Sequence, residues 1–292
     1  MAWVQFIFSS TSDVAESLSD ILSECGASAV TLQDSEDQPI YEPDPGTTPL
    51  WQKTNVVALF DAEFETDAVL HQLTAMLAPS PVPPYHIEPV EDKDWVREWM
   101  DNFHPISFGE KLWICPSWLE PPESTAVNIM LDPGLAFGTG THPTTSLCLN
   151  WLDQAELEGK YVIDYGCGSG VLAIAAALLG ADKVIGVDTD PQALEATQEN
   201  ARRNGVEVIT FLPQDCPQAP CDLLLANILA KPLHRLLPTF TALCKPDAEL
   251  VLSGILGFQA ASISAHYQQG FAMQPAVAQQ EWVRLYGRRH EQ

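Results

Sequence analysis

Basic side chains are what this chain has least of: 14 Lys and Arg stand against 39 Asp and Glu, for a net charge of −25. Proteins that hold nucleic acid rely on clustered Lys and Arg to neutralise phosphates, so RNA and DNA are poor candidates for a substrate. Long apolar runs are missing too. The longest, Val171 to Ala181, is roughly half of the ~20 residues a membrane span needs, and Met1 to Ser10 carries no basic leader of the signal-peptide kind. The seven cysteines contain no Cys-x-x-Cys pair, which argues against a disulfide framework and against a structural zinc site, so no metal is expected. Internal repeats and low-complexity tracts are also absent. The expectation is a soluble, untargeted, cytoplasmic protein with no membrane partner and no direct nucleic-acid partner.

What is present suffices for two domains: 292 residues, 46% of them hydrophobic, can supply two separate cores. The acid is unevenly placed. Residues 1 to 90 hold fourteen Asp and Glu but a single base, Lys53, so a basic partner would be drawn there; the bland alternative is that the acid only keeps the protein soluble. Along this stretch a β-rich run, Trp3 to Phe8, is followed by Val14, Leu18, Ile21, Leu22 and Cys25 on one helical face, which Gly26 ends. A strand at Ser28 to Gln33 leads into a polar loop through Pro49; then come a strand at Asn55 to Phe60, a helix at Thr66 to Leu77 with Val69, Leu70, Leu73 and Leu77 inward, and a strand at Tyr85 to Pro89. The order βαββαβ is that of a ferredoxin-like α+β domain. With no chemistry of its own, it reads as a binding module by fold-level analogy.

Residues 91 to 104 form a charged linker whose Trp95 and Trp99 lie four apart, the spacing of one helical edge. A hinge packed between domains and a direct substrate contact both fit it. From 105 to 292 the pattern changes. Strand-like pieces at Ile106 to Cys115 and Asn128 to Leu131 precede a glycine-rich loop, after which strands at 161–165, 183–187, 208–211, 222–226 and 248–253 alternate with helices. That alternation calls for a doubly wound, Rossmann-like α/β sheet covered on both faces. Two closing runs, Phe271 to Val277 and Glu281 to Gly287, suggest an antiparallel hairpin at the sheet edge.

Tyr161 to Gly170 reads YVIDYGCGSG: a buried strand ends in Asp164 and runs through Gly166, Gly168 and Gly170 into a helix. Glycines there let backbone approach a ligand at the carboxyl edge of the first strand. A dinucleotide fingerprint places its third glycine three after the second; here the gap is two and an acid precedes the loop, which suits a nucleoside carrying an amino acid. Asp188 ends the next buried strand, 22 residues after Gly166, where a carboxylate can accept both hydroxyls of a ribose. Asp190, followed by Pro191, is explained by helix capping. Cys167 sits among carboxylates that oppose thiolate formation, so it reads as a small filler.

Taken together, Asp-x-Gly-x-Gly-x-Gly, the acidic strand end and Asn227-Ile228-Leu229 in the place of a fourth motif resemble the class I methyltransferases. More narrowly, Leu131 to Thr145 (LDPGLAFGTGTHPTT) with the acidic N-terminal domain resembles the PrmA family, which methylates large-subunit ribosomal protein L-eleven. The resemblance spans essentially the whole chain. It implies S-adenosylmethionine as cofactor, a basic ribosomal protein as partner, and methylation, up to trimethylation, of lysine and N-terminal amines. It also places Thr145 at a cofactor-contacting position. The residues of the loop suit a lid over the cofactor: glycines including Gly138 for flexibility, hydroxyls including Thr141, and the flat face of Phe137. Pro143 marks a helix start for which Thr141 is the favoured cap, with His142 divided between capping and function.

Methyl transfer from a sulfonium is an in-line displacement, so the protein chiefly aligns the amine and excludes water. Asn227 is the expected catalytic residue, its side-chain oxygen accepting a hydrogen bond from the amine while the following backbone carbonyl offers a second acceptor. The sequence lacks the Pro-Pro-aromatic continuation common in single-methylation enzymes, and a looser pocket suits repeated transfer. Rival readings are a nicotinamide-dependent oxidoreductase, opposed by the glycine spacing and Asn227; a non-catalytic adaptor that binds the cofactor; and a methyltransferase of RNA or of another protein.

Overall fold

The computed structural model describes residues 3–40, 46–61, 65–90, 103–132 and 142–291. It divides into two compact units, Met1–Met100 and Asp101–Gln292. Each buries its own core: one cluster lies wholly within the first unit and the others within the second.

In the first unit β1 (Trp3–Thr11), α1 (Ser12–Glu24), β2 (Ala29–Asp34), β3 (Lys53–Asp61), α2 (Thr66–Leu77) and β4 (Tyr85–Val90) follow in that order. The sheet runs β2-β3-β1-β4, every neighbouring pair antiparallel, which is the split βαβ arrangement. Alternation explains its core. Phe6 and Phe8 of β1 and Val56, Ala58 and Phe60 of β3 all point to one face, where Ala15, Leu18 and Leu22 of α1 and Val69 and Leu73 of α2 cover them. Leu70 and Leu77, expected inward, are partly buried against this cluster. Val14 differs from expectation: it is 43% exposed, because the buried stripe of α1 is set by Ala15, Leu18, Leu22 and Cys25, one residue round the helix from Val14.

The second unit opens with a small sheet of β5 (Ile106–Phe108), β6 (Leu112–Cys115) and β7 (Val127–Met130). The single strand expected over Ile106 to Cys115 is thus two strands with a tight turn between them. Its cause lies elsewhere in the sequence: Asp153, fully buried, accepts the backbone N–H groups of Glu110 (2.9 Å), Lys111 (2.6 Å) and Leu112 (3.0 Å). Burial works to raise this carboxyl, but the hydrogen bonds prevail and hold it below its ordinary range.

The main sheet is built from β8 (Tyr161–Tyr165), β9 (Lys183–Val187), β10 (Ile209–Phe211), β11 (Cys221–Asn227), β12 (Cys244–Leu256), β13 (Phe271–Met273), β14 (Val277–Gln279) and β15 (Trp282–Arg289). Its order is β10-β9-β8-β11-β12-β15-β13, with β14 also on β15. Strands β8 to β12 pair in parallel, and β15 runs against its neighbours. Five helices lie among them: α3 (Pro143–Gln154), α4 (Val171–Leu178), α5 (Pro191–Arg203), α6 (Ala230–Leu243) and α7 (Ala260–Tyr267). Because both faces are covered, central strands read as nearly continuous apolar runs. Val162, Leu223, Leu225 and Val251 join α3 and α4 in one core, while Ile163, Leu224, Ala226 and Leu252 join α6 and α7 in the other.

The run expected as one strand from Phe271 to Val277 is interrupted, so that two short strands, β13 and β14, share β15. Pro275 lies in the gap; lacking an N–H, proline cannot continue a ladder. Among the described residues no helix is long and apolar enough to cross a membrane.

Candidate functional site

Strand order reverses about β8: β9 and β10 lie to one side, β11 and β12 to the other. Open α/β sheets bind ligands at the carboxyl ends of the strands flanking such a point. The sequence-derived residues collect there. Asp164 is in β8, the glycine loop follows it, Asp188 follows β9 and Asn227 ends β11.

The glycine loop is folded by its own backbone. Gly166, Gly168 and Gly170 have φ of +86°, +55° and +80°, a region that side chains with a Cβ rarely adopt. Gly166 N–H and Cys167 N–H both donate to the carbonyl of Val187, at 2.6 and 3.0 Å, which ties the loop to the end of β9. Any side chain at Gly166 would overlap Ile228, and at Gly170 would overlap Thr197. Thr197 of α5 also donates its hydroxyl to the carbonyl of Gly168 (3.0 Å), and Asn200 donates to that of Ser169 (2.9 Å). Motif reading missed Thr197 and Asn200, and with them the packing of the Ile228 side chain on Gly166: a lone Thr or Asn carries no spacing signal, and only the folded loop reveals these contacts.

Asp164 and Asp188 end neighbouring strands and differ in environment. Asp188 is partly exposed, and its two oxygens accept the N–H groups of Gly168 (2.9 Å) and Asp190 (3.1 Å). A carboxylate accepts about four hydrogen bonds, so each oxygen retains capacity for a ligand hydroxyl. Asp164 is 1% exposed. One oxygen accepts Ala173 N–H (3.1 Å) in the first turn of α4; the other, Oδ1, is buried with no partner among the described residues. Burial, reinforced by the charge of Asp188 and opposed by the Ala173 bond, pushes its carboxyl up to about 7. Asp190 caps α5, accepting Gln192 N–H at 2.9 Å ahead of Pro191. Cys167 is buried, has its sulfur 3.3 Å from the Thr197 hydroxyl, and is pushed up to about 12 by burial and then by Asp164. Such a thiol is inert.

Across the loop, Asn227 and Thr145 meet. Asn227 Nδ2 donates to the hydroxyl of Thr145 (3.3 Å), which is fully buried in the first turn of α3. Asn227 Oδ1 is buried and has no partner among the described residues. Buried polar oxygens without partners are uncommon; here two, on Asp164 and Asn227, lie at the carboxyl ends of adjacent strands beside a loop only glycine can form. That is the donor-hungry lining a polar nucleoside and an amine would satisfy. The Ile228 carbonyl, expected as a second acceptor, lies against Gly254 of β12, whose missing Cβ permits the approach.

Phe137, Gly138 and Thr141 lie outside the described residues, as does most of the expected lid. The cap of α3 is His142: its Nδ1 accepts Thr144 N–H (3.3 Å) and contacts the Thr144 hydroxyl (2.7 Å). Among the described residues no group of three or more His, Cys, Asp or Glu is placed to hold a metal ion.

Comparison with known proteins places these features in a lineage. A family model described as ribosomal protein L11 methyltransferase (PrmA) matches residues 2–290. The chain is 54% identical over 289 residues to the ribosomal protein L11 methyltransferase of Alteromonas mediterranea, a match covering 98% of this chain and 99% of that one. It is 53% identical over 292 residues to the protein of that name from Pseudomonas aeruginosa, covering 99% of each. Among solved structures, the ribosomal protein L11 methylase of Lactobacillus delbrueckii subsp. bulgaricus superposes with a TM-score of 0.59 at 34% identity, covering 65% of this chain and 100% of that chain.

Proposed function

As the chain belongs to the ribosomal protein L11 methyltransferase (PrmA) family, we propose that it transfers methyl groups from S-adenosylmethionine to lysine and N-terminal amines of ribosomal protein L11. The observation that carries this reading is Asn227 Oδ1, a buried acceptor without a partner at the end of β11. An amine entering there can donate a hydrogen to it, which turns the nitrogen lone pair away from Asn227 and toward the glycine loop.

The cofactor, when bound, supplies an electrophilic methyl group on a positively charged sulfur. Asp188 holds the ribose hydroxyls with the lone pairs it does not spend on Gly168 and Asp190. Asp164 Oδ1 takes a polar hydrogen of the ligand. Thr145, Gly166, Gly168 and Gly170 shape the wall between them. The remaining chemistry is alignment and dehydration, for which no covalent nucleophile is needed.

A lysine with an ordinary pKa of ~10.4 is seldom neutral at physiological pH. Desolvation at this buried strand end favours the neutral amine, which is the reactive form. Residues 1 to 90, with a single base among fourteen acids, are the substrate-recognition domain that attracts a basic ribosomal protein, and 91 to 104 link it to the methyltransferase domain, 105 to 292. Seven free cysteines, all buried, are in keeping with a reducing, cytoplasmic setting.

Incubation of the full chain with purified L11 and methyl-labelled S-adenosylmethionine, followed by mass spectrometry of L11, tests this. Label on lysine side chains and the N-terminal amine is the expected result. Label confined to ribosomal RNA, or none at all, would refute it.

A further inference from the structure

Helix α3 begins in an unusual way. Capping is ordinarily the work of Ser, Thr, Asp or Asn, none of which titrates near neutral pH. Here the cap is His142, with Pro143 at the first helical position. A backbone N–H can only donate, so the bond from Thr144 N to His142 Nδ1 requires that nitrogen to be bare and the ring proton to sit on Nε2. The hydroxyl of Thr144, itself 1% exposed, reaches the same nitrogen at 2.7 Å. The carbonyl of His142 completes the turn by accepting Thr145 N–H (3.0 Å) and Ser146 N–H (3.1 Å). Edge-on packing against Trp282, with ring centroids 5.0 Å apart, fixes the plane of the imidazole. Trp282 in turn packs with Leu147 and Leu256.

Three residues after the histidine comes Thr145, whose hydroxyl receives Asn227 Nδ2. That bond decides which end of the Asn227 amide is left over. With Nδ2 spent on Thr145, Oδ1 is the atom without a partner, and an acceptor is what an amine needs. We propose that His142 is a positioning residue: as the neutral imidazole capping α3 it fixes Thr145, and through Thr145 it presents Asn227 Oδ1 to the target amine and the cofactor. The inference rests on the methyltransferase reading of this site and assigns it a residue that titrates.

Thr144 of α3 and Trp282 of β15 contact the ring, and neither ionises near neutral pH. Glu281, just before β15, acts on the ring and favours protonation. Burial opposes it and prevails, so the imidazole titrates below its ordinary 6.5, a direction the positive end of the α3 dipole reinforces. At neutral pH the cap is therefore intact. As pH falls through the lowered pKa, Nδ1 gains a proton, can no longer accept from Thr144 N–H, and the first turn of α3 loosens.

Cofactor affinity of the full chain, measured by calorimetry between about pH 5 and about pH 8, separates the possibilities when wild type is compared with His142→Asn and His142→Ala. Asn caps without titrating. The expected result is that wild type loses about fivefold more affinity toward acid than His142→Asn does, and that His142→Ala is about fivefold weaker at neutral pH while His142→Asn stays within about twofold of wild type. An acid loss in His142→Asn as steep as in wild type, or full neutral-pH affinity in His142→Ala, overturns the proposal. Absence of binding by wild type at neutral pH overturns the methyltransferase reading beneath it.

Discussion

The two units of this chain differ in the groups that distinguish them. The first, whose described residues form an antiparallel four-stranded sheet with two helices, is distinguished by charge: residues 1 to 90 hold a single base among fourteen acids. The second places its distinctive groups inside, where Asp164 and Asn227 hold buried oxygens without partners beside a glycine loop. A long-range, screened attraction suits recruitment of a large basic partner. Short-range, desolvated acceptors suit orientation of one small group. The contrast implies that encounter and chemistry can be disabled separately.

Removal of residues 1 to 90 is the most severe way to break that comparison. Since each unit has its own core, the remaining chain should bind cofactor within about twofold of wild type while methylation of L11 falls by about a hundredfold or more. A truncated enzyme as active on L11 as the full chain would contradict the division. Next in size is Asp188→Ala. Loss of a charged acceptor costs about 1.5–3 kcal/mol, so calorimetry should show cofactor affinity roughly ten- to a hundredfold weaker with far-ultraviolet dichroism unchanged; unaltered affinity would remove Asp188 from the site.

Asp164 offers a smaller effect with a definite sign. Its carboxyl titrates at about 7 in the folded chain against an ordinary 3.8, so between those values the folded state binds more protons than the unfolded state. Stability contributed by the protonated group is present below 3.8 and is lost as pH rises through about 7. Asp164→Asn cannot ionise, so its thermal midpoint relative to wild type should climb by about 3 °C between acid and neutral pH. A constant offset across that window would show that Asp164 is ionised throughout. The smallest effect concerns salt: raising it should weaken capture of L11 about threefold while leaving cofactor affinity nearly unchanged. Equal sensitivity of the two would erase the distinction between the units.

Much of this was readable in advance because the dominant signals are local. Periodicity locates α2 at its observed ends, and short, mostly apolar runs mark β8 and β9 because both faces of the sheet are covered. One departure is local, Pro275 breaking the run that becomes β13 and β14; the others arise from partners distant in sequence. The turn between β5 and β6 exists because Asp153, some forty residues later, gathers three N–H groups. Val14 lies outside the stripe of α1 because the sheet beneath fixes the rotation of the helix. In the site, Asp164, Asp188 and Asn227 announce themselves by position at strand ends. The supporting work of Thr197 and Ile228, and the choice of His142 to cap α3, depend on contacts that no spacing records.

The central claim is that the glycine loop, Asp188 and Asn227 form a site for S-adenosylmethionine, and calorimetric titration of the full chain with S-adenosylhomocysteine, the demethylated product, tests it most directly. Saturable binding of one ligand per chain is the predicted result. No heat of binding at any ligand concentration, from protein shown to be folded, would contradict the account.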